Sequence, residues 1–405
     1  MKKSIFRFSF LKKAFVISAF CLGAFFAQQA VADDCHAADI ERTLVFNPGD
    51  FGSKFYRIPA LAVTKDGNLL AVADKRINSM NDLPGDIDVV ARISKDMGKT
   101  WGDYITIVEH DETGGYGDPA LVVDRNSGDV IMICSHGNGL WQEAPAHITV
   151  VRSTDNGKTW GEPLDINPMI LTTSSDGPQP IKNVLGAFAS SGGAVQLDNG
   201  RLMFALVVRA KDRQEFYNYA IYSDDGGRTW QVADNPACLD GDEAKIAQTA
   251  DGTVIMSVRS RKKFGRRSFS YSKDNGKTWS ESVKIEDLPD PACNGDFIRY
   301  TYGGKDLMLQ SLPAAMKINP ELKEVPRAVP ERADIGIYAS EDQGKTWPLF
   351  RQITSGPGAY SAMAQLPDGT LGVLTEEGVE DPGPLHQGGY RIWFLRMPIT
   401  AITGK

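Results

Sequence analysis

Three arginines, a group of carboxylates and one tyrosine fall at matching distances from short glycine turns, and this is where chemistry can be sought. The turns are Asp66-Gly67, Ser127-Gly128, Asn199-Gly200, Asp251-Gly252, Gly303-Gly304 and Asp368-Gly369, each ahead of an apolar run. If each turn joins two strands, residues equidistant from it meet at one hairpin end. Counting outward sets Arg57 against Arg76, Asp118 against His136, Glu243 against Arg259 and Tyr360 against Glu376. Arg332 lies eight residues before Ser340, about one strand length, and starts a strand at the same end. Asp82 falls just before the run Ile87-Asp-Val-Val-Ala-Arg, on a loop over that end. A lone charge at a strand end is ordinarily a solvated rim charge. Several arginines converging with carboxylates can instead hold an anion and move protons.

The elements that position these residues show in a second repeat. The octapeptide Ser-x-Asp-x-Gly-(Lys/Arg)-Thr-Trp starts at Ser94, Ser153, Ser223, Ser272 and Ser340 and ends at Trp101, Trp160, Trp230, Trp279 and Trp347. Its parts suit a hairpin turn. Asp accepts backbone N–H groups, Gly supplies a positive φ, and Trp buries a large ring between neighbouring sheets. Five catalytic copies in one chain would make no sense, so the box is structural. The glycine turns count six units, the last of which ends in Arg-Ile-Trp-Phe-Leu-Arg-Met-Pro without a box. About 62 residues per unit suits a four-stranded sheet. Radial repetition of such sheets predicts an all-β, six-bladed propeller of four-stranded antiparallel sheets. A strand near Arg42–Phe46 could pair with the C-terminal one to close the ring. The charged end and the boxes then lie on opposite faces.

Composition agrees with an exported globular protein. Of 405 residues, 42% are hydrophobic and 23% charged, with a net charge of −7. Residues 1–32 read as a secretory signal: Lys2, Lys3, Arg7, Lys12 and Lys13, then the apolar run Ala14 to Ala27, then Ala30-Val31-Ala32. The run is short for a membrane span. Cleavage there leaves a propeller domain over 33–405 at about −12, secreted, periplasmic or on the cell surface. An acidic chain is a poor partner for nucleic acid. Cys35, Cys134, Cys238 and Cys293 are too widely spaced for a disulfide scaffold. No histidine pair has zinc-ligand spacing, so neither metal nor cofactor is expected.

With these residues in view, the chain resembles the bacterial sialidases (exo-α-sialidase, neuraminidase). The octapeptides resemble that family's Asp boxes, and Phe55-Tyr56-Arg57-Ile58-Pro59 resembles its FRIP-type motif. Glu243, Arg259, Arg332 and Tyr360 follow in the family's order. The resemblance implies hydrolysis of terminal α-linked sialic acids from glycoproteins, glycolipids or other sialylated glycans. It implies that Arg57, Arg259 and Arg332 bind the sugar carboxylate, that Asp82 is the general acid/base, and that Tyr360 is a nucleophile served by Glu243. It further implies that Glu376 orients Arg57 and that Arg76 and Asp118 lie near the sugar. Asp86 and Asp88 compete for the acid role; Asp82 is preferred because Ile87-Asp88 reads as strand. A trans-sialidase or an anhydro-forming enzyme would share this set. A sialoglycan-binding lectin would keep the arginines but not need Asp82, Glu243 and Tyr360 together.

Overall fold

The computed structural model describes residues 39–142, 144–211, 216–261, 265–314, 332–379 and 389–404. The expected leader, residues 1–32, lies outside them. From Glu41 onward the chain forms one unit. It is a six-bladed β-propeller, each blade an antiparallel meander. The first blade runs Phe55–Val63, Leu69–Arg76, Ile87–Ser94, Ile105–Val108. The fourth, Gly241–Gln248, Val254–Ser260, Gly265–Ser272 and Val283–Asp290, and the fifth, Phe297–Tyr302, Lys305–Pro313, Ile335–Ser340 and Leu349–Gln352, repeat that plan. The sixth takes Gly358–Gln365, Leu371–Gly378 and Tyr390–Met397 and is completed by Glu41–Phe46, which pairs antiparallel with Tyr390–Met397.

Two blades depart from four strands. In the third, the strand nearest the axis is broken: Val184–Ala189 and Val195–Gln196 both pair with Leu202–Ala210. Between them Gly192–Gly193 crosses over and pairs parallel with Tyr116–Val123 of the second blade. The third blade also gains Cys238–Leu239 at its outer edge. The core lies in the seams between blades. Each seam is a layer of Val, Ile, Leu, Met and aromatic residues from two neighbouring sheets.

The boxes are the seam fasteners. In the first, the Gly98 N–H donates to Ser94 Oγ at 2.8 Å, and Ser94 Oγ donates to Asp96 Oδ1 at 2.8 Å. Asp96 also accepts the Thr100 N–H at 2.9 Å and the Thr100 hydroxyl at 2.5 Å. The other four boxes repeat these bonds. Gly98 has φ +86°, and a Cβ there would stand 1.9 Å from the Phe394 ring. Trp101 meets that same ring edge-on at 5.4 Å, across the seam of the first and sixth blades.

The opposite face is built on bulges. The first strands of the first, second, fourth and sixth blades slip register between Arg57 and Ala60, Gly117 and Ala120, Gly241 and Ala244, and Gly358 and Ser361. A bulge adds a residue to one strand and re-aims its side chains. In the fourth and sixth blades Glu243 still meets Arg259 and Tyr360 meets Glu376, but in the first and second equidistance from the turn fails. Arg57 pairs with Asp74 and Arg76 with Phe55, not with each other. His136 pairs with Tyr116 and stacks on its ring at 3.9 Å, while Asp118 stands in the bulge. Arg332 lies three residues ahead of its strand, Ile335–Ser340, rather than starting it.

Candidate active site

The bulge of the first blade begins the site. Ile58 sits at φ +58°, a rare conformation for a β-branched residue. This turns its N–H toward Glu376 Oε1 at 2.7 Å. Arg57 holds the same carboxylate with two bonds, Nε–Oε1 at 2.8 Å and Nη2–Oε2 at 3.1 Å. Glu376 Oε2 also accepts the Tyr360 N–H at 3.1 Å. One fully buried carboxylate thus ties the first blade to the sixth. The Arg57 guanidinium lies between the rings of Tyr360 and Tyr390, 5.0 and 4.9 Å from their centres. Burial opposes its charge, but Glu376 outweighs burial and raises its pKa.

Across the axis, Glu243 and Arg259 form a close ion pair, with Glu243 only 2% exposed. Arg259 Nη1 also donates to the Tyr360 hydroxyl at 3.0 Å. Burial would raise the Glu243 pKa; the Arg259 charge and a hydrogen bond with Tyr360 reverse this and lower it. Tyr360 moves the other way. Burial and then the Glu243 charge push its phenol well above the usual range, while Arg259, Arg332 and Arg57 pull it back. Arg332 completes the group from the fifth blade. Its guanidinium carbon lies 5.8 Å from the Tyr360 ring centre, and its Nη2 donates to the Ala292 carbonyl at 2.6 Å.

The remaining three residues gather on the first and second blades. Arg76, 1% exposed, reaches Asp74 Oδ2 at 3.0 Å, the Met80 carbonyl at 2.5 Å and Asp82 Oδ1 at 2.9 Å. Asp82 has an 84% exposed side chain on the loop after Arg76. Burial of its surroundings raises its pKa, but Arg76 and then Arg57 win and lower it. Asp118 has φ +59°, and its N–H donates to Asp74 Oδ1 at 3.1 Å. Burial, then Asp74 and Asp82, raise the Asp118 pKa well above the carboxylate range. Neighbouring carboxylates with pKa values driven apart are suited to proton transfer.

All nine residues named from the sequence stand on this one face. The family model for the BNR repeat-like domain matches residues 67–373. The sialidase of Micromonospora viridifaciens is 32% identical over 357 residues, which make up 84% of this chain and 52% of that protein. The chain belongs to the sialidase family. The sialidase of Bacteroides fragilis is 29% identical over 368 residues, 83% of this chain and 62% of that one. The chain therefore spans 52% and 62% of the lengths of these two family members. Among solved structures, the Hadza microbial sialidase Hz136 superposes with a TM-score of 0.75 at 28% identity, covering 89% of this chain and 69% of that one.

This sialidase-family site contains residues that counting from the turns did not single out. Asp74 bonds both Arg76 and Asp118, and its pKa rises to about 6 because burial outweighs the Arg76 charge. Its signal was present: Asp74 and Arg76 are two apart on a strand and share a face. Asp242 lies 3.6 Å from Arg259 Nε and accepts the Glu243 N–H at 2.9 Å. Tyr390 had no signal, since only folding brings its ring against Arg57. Among the described residues Cys134, Cys238 and Cys293 are unpaired and buried.

Proposed function

We propose that this protein is an exo-α-sialidase that hydrolyses terminal α-linked sialic acids with retention, using Tyr360 as nucleophile. The observation that carries the reading is the Tyr360 hydroxyl, bonded at 3.0 Å to Arg259, which also pairs with Glu243, while Arg57 and Arg332 lie against the Tyr360 ring. Sialic acid bears its carboxylate on the anomeric carbon. Arg57, Arg259 and Arg332 are suited to bind it through parallel charge-assisted bonds. That carboxylate would repel an Asp or Glu nucleophile; a phenol avoids the repulsion.

In this mechanism Glu243 takes the Tyr360 proton as the phenol oxygen attacks the anomeric carbon. The glycosidic C–O bond breaks, and Asp82 protonates the leaving oxygen. Water then attacks the same carbon from the vacated side, Asp82 accepts its proton, and Tyr360 leaves and recovers its own from Glu243. Two inversions give retention. Arg76 and Asp118 face the sugar in this reading, and Glu376 holds Arg57. The leader reading of residues 1–32 adds that the reaction takes place outside the cytoplasm, on sialylated glycoproteins, glycolipids or oligosaccharides.

The test is incubation with sialyllactose isomers, followed by NMR. Free sialic acid should appear first as the α-anomer. A β-anomer as first product would remove the retaining mechanism. A 2,7-anhydro product or transfer to lactose would replace hydrolysis by a related reaction on the same residues.

A further inference from the structure

We propose that the buried pair Arg267–Asp290 is a positioning device that sets where Arg259 and Arg332 stand; this rests on the carboxylate-binding role given to those arginines above. Both side chains are fully buried, so neither can touch a substrate. Asp290 ends the outer strand of the fourth blade, Val283–Asp290, and from there its carboxylate faces two ways. Oδ2 accepts the N–H of Ser260, the residue after Arg259, at 2.8 Å. Oδ1 accepts the N–H of Cys293 at 3.3 Å. Arg267 reaches the same two segments. Its Nε donates to Ser257 Oγ at 3.0 Å, two residues before Arg259, and its Nη1 to the Cys293 carbonyl at 3.1 Å and Asp290 Oδ2 at 3.4 Å. The turn pinned at Cys293 contains Ala292 at φ +54°, and the Ala292 carbonyl is the acceptor that holds Arg332 Nη2 at 2.6 Å.

A single ion pair therefore fixes the strand that presents one guanidinium and the turn that anchors another. Stability alone does not explain it. The pair is loose, and Arg267 Nη2 has no hydrogen-bond partner among the described residues. A buried ion pair of that kind adds little over apolar residues of the same volume. Its use is positional: it braces the two segments that carry like-charged guanidinium groups.

The test compares Asp290→Asn and Arg267→Met with Asp155→Ala, a box variant on the far face, using an aryl sialoside well below the lowest thermal midpoint. Both positioning variants should raise KM by at least about tenfold, since small misplacements of binding groups are costly. Inhibition by free sialic acid should weaken in parallel, with kcat changed less. Asp155→Ala should leave KM within about twofold of wild type at a comparable loss of thermal midpoint. If Arg267→Met does not fold, Asp290→Asn, which keeps size and one acceptor, still decides. A folded Asp290→Asn with wild-type KM and wild-type affinity for sialic acid would overturn the inference. Absence of hydrolysis by the wild type would instead defeat the proposed function. In that event, calorimetric binding of sialic acid to wild type and Asp290→Asn still reads the clamp, and equal affinities overturn this inference.

Discussion

Tyr360 and Asp82 sit in opposite electrostatic settings, and each carries a test. The phenol is buried beside an anion, so it holds its proton, which in the proposed mechanism passes to Glu243. Tyr360→Phe deletes only the oxygen proposed to attack. It should abolish turnover and the covalent adduct left by a fluorinated sialosyl fluoride, with the thermal midpoint nearly unchanged; Glu243→Gln should slow adduct formation. Mass spectrometry of the labelled peptide checks both. Asp82 is held low by Arg76 and Arg57 against the opposing effect of burial. A general acid works only while protonated, so activity falls as pH rises through its pKa. A bound substrate carboxylate would offset the Arg57 charge and let the Asp82 pKa rise. The alkaline limb of kcat should therefore lie at higher pH than that of kcat/KM, which reports the free enzyme. Asp82→Asn should remove that limb and harm substrates with poor leaving groups most. The residue types of the site were legible because polar residues recur at one end of four of the six hairpins. Their partners Asp242, Tyr390 and Arg267 were less so, because their roles arise from contacts between distant segments.

At the scale of elements, turns could be counted but bulges could not. The glycine pairs and boxes carry their chemistry in the sequence, since only certain residues make those turns. A bulge is set by the packing of neighbouring strands, and it displaced Arg57, Arg76 and Asp118 from their expected partners. The bulges cost energy where the site needs shape: a left-handed conformation costs Ile58 about 1–2 kcal/mol. The boxes supply stability on the other face. In Asp96 the Thr100 hydroxyl lowers the carboxyl pKa to about 2. In Asp155, Asp225, Asp274 and Asp342 burial opposes the shift, and bonds from the box threonine and its neighbours overcome it, again reaching about 2. Unfolded aspartate titrates near ~3.9. These groups therefore stabilise the fold above about pH 4, and that contribution is lost as pH falls toward about 2. Asp155→Ala should cost ~1–3 kcal/mol, the usual penalty for unpaired partners, with kcat/KM retained. Its thermal midpoint, followed by calorimetry, should fall less steeply than wild type over that acid window.

For the molecule as a whole, the ring was legible as six repeats, while the broken strand Val184–Gln196 was not, because nothing in its sequence marks the crossing at Gly192–Gly193. The sixth blade has a consequence in time. Its fourth strand, Glu41–Phe46, meets a partner more than 340 residues later in the chain, and Arg42 bonds Glu377 across 335 positions. Joining such distant segments carries a loop-closure entropy that grows with the logarithm of length, and long-range pairing of this kind slows folding. The residues proposed for catalysis are spread the same way, with Arg57 in the first blade and Glu376 and Tyr360 in the last. On refolding from denaturant, far-ultraviolet circular dichroism should recover first, as individual blades form. The fluorescence of Trp101, isolated by comparison with Trp101→Phe, and sialoside turnover should recover later and together, because Trp101 packs against Phe394 only in the closed seam. A nascent chain would thus be an inert string of hairpins until its final strands emerge, and the onset of activity would serve as a clock for ring closure.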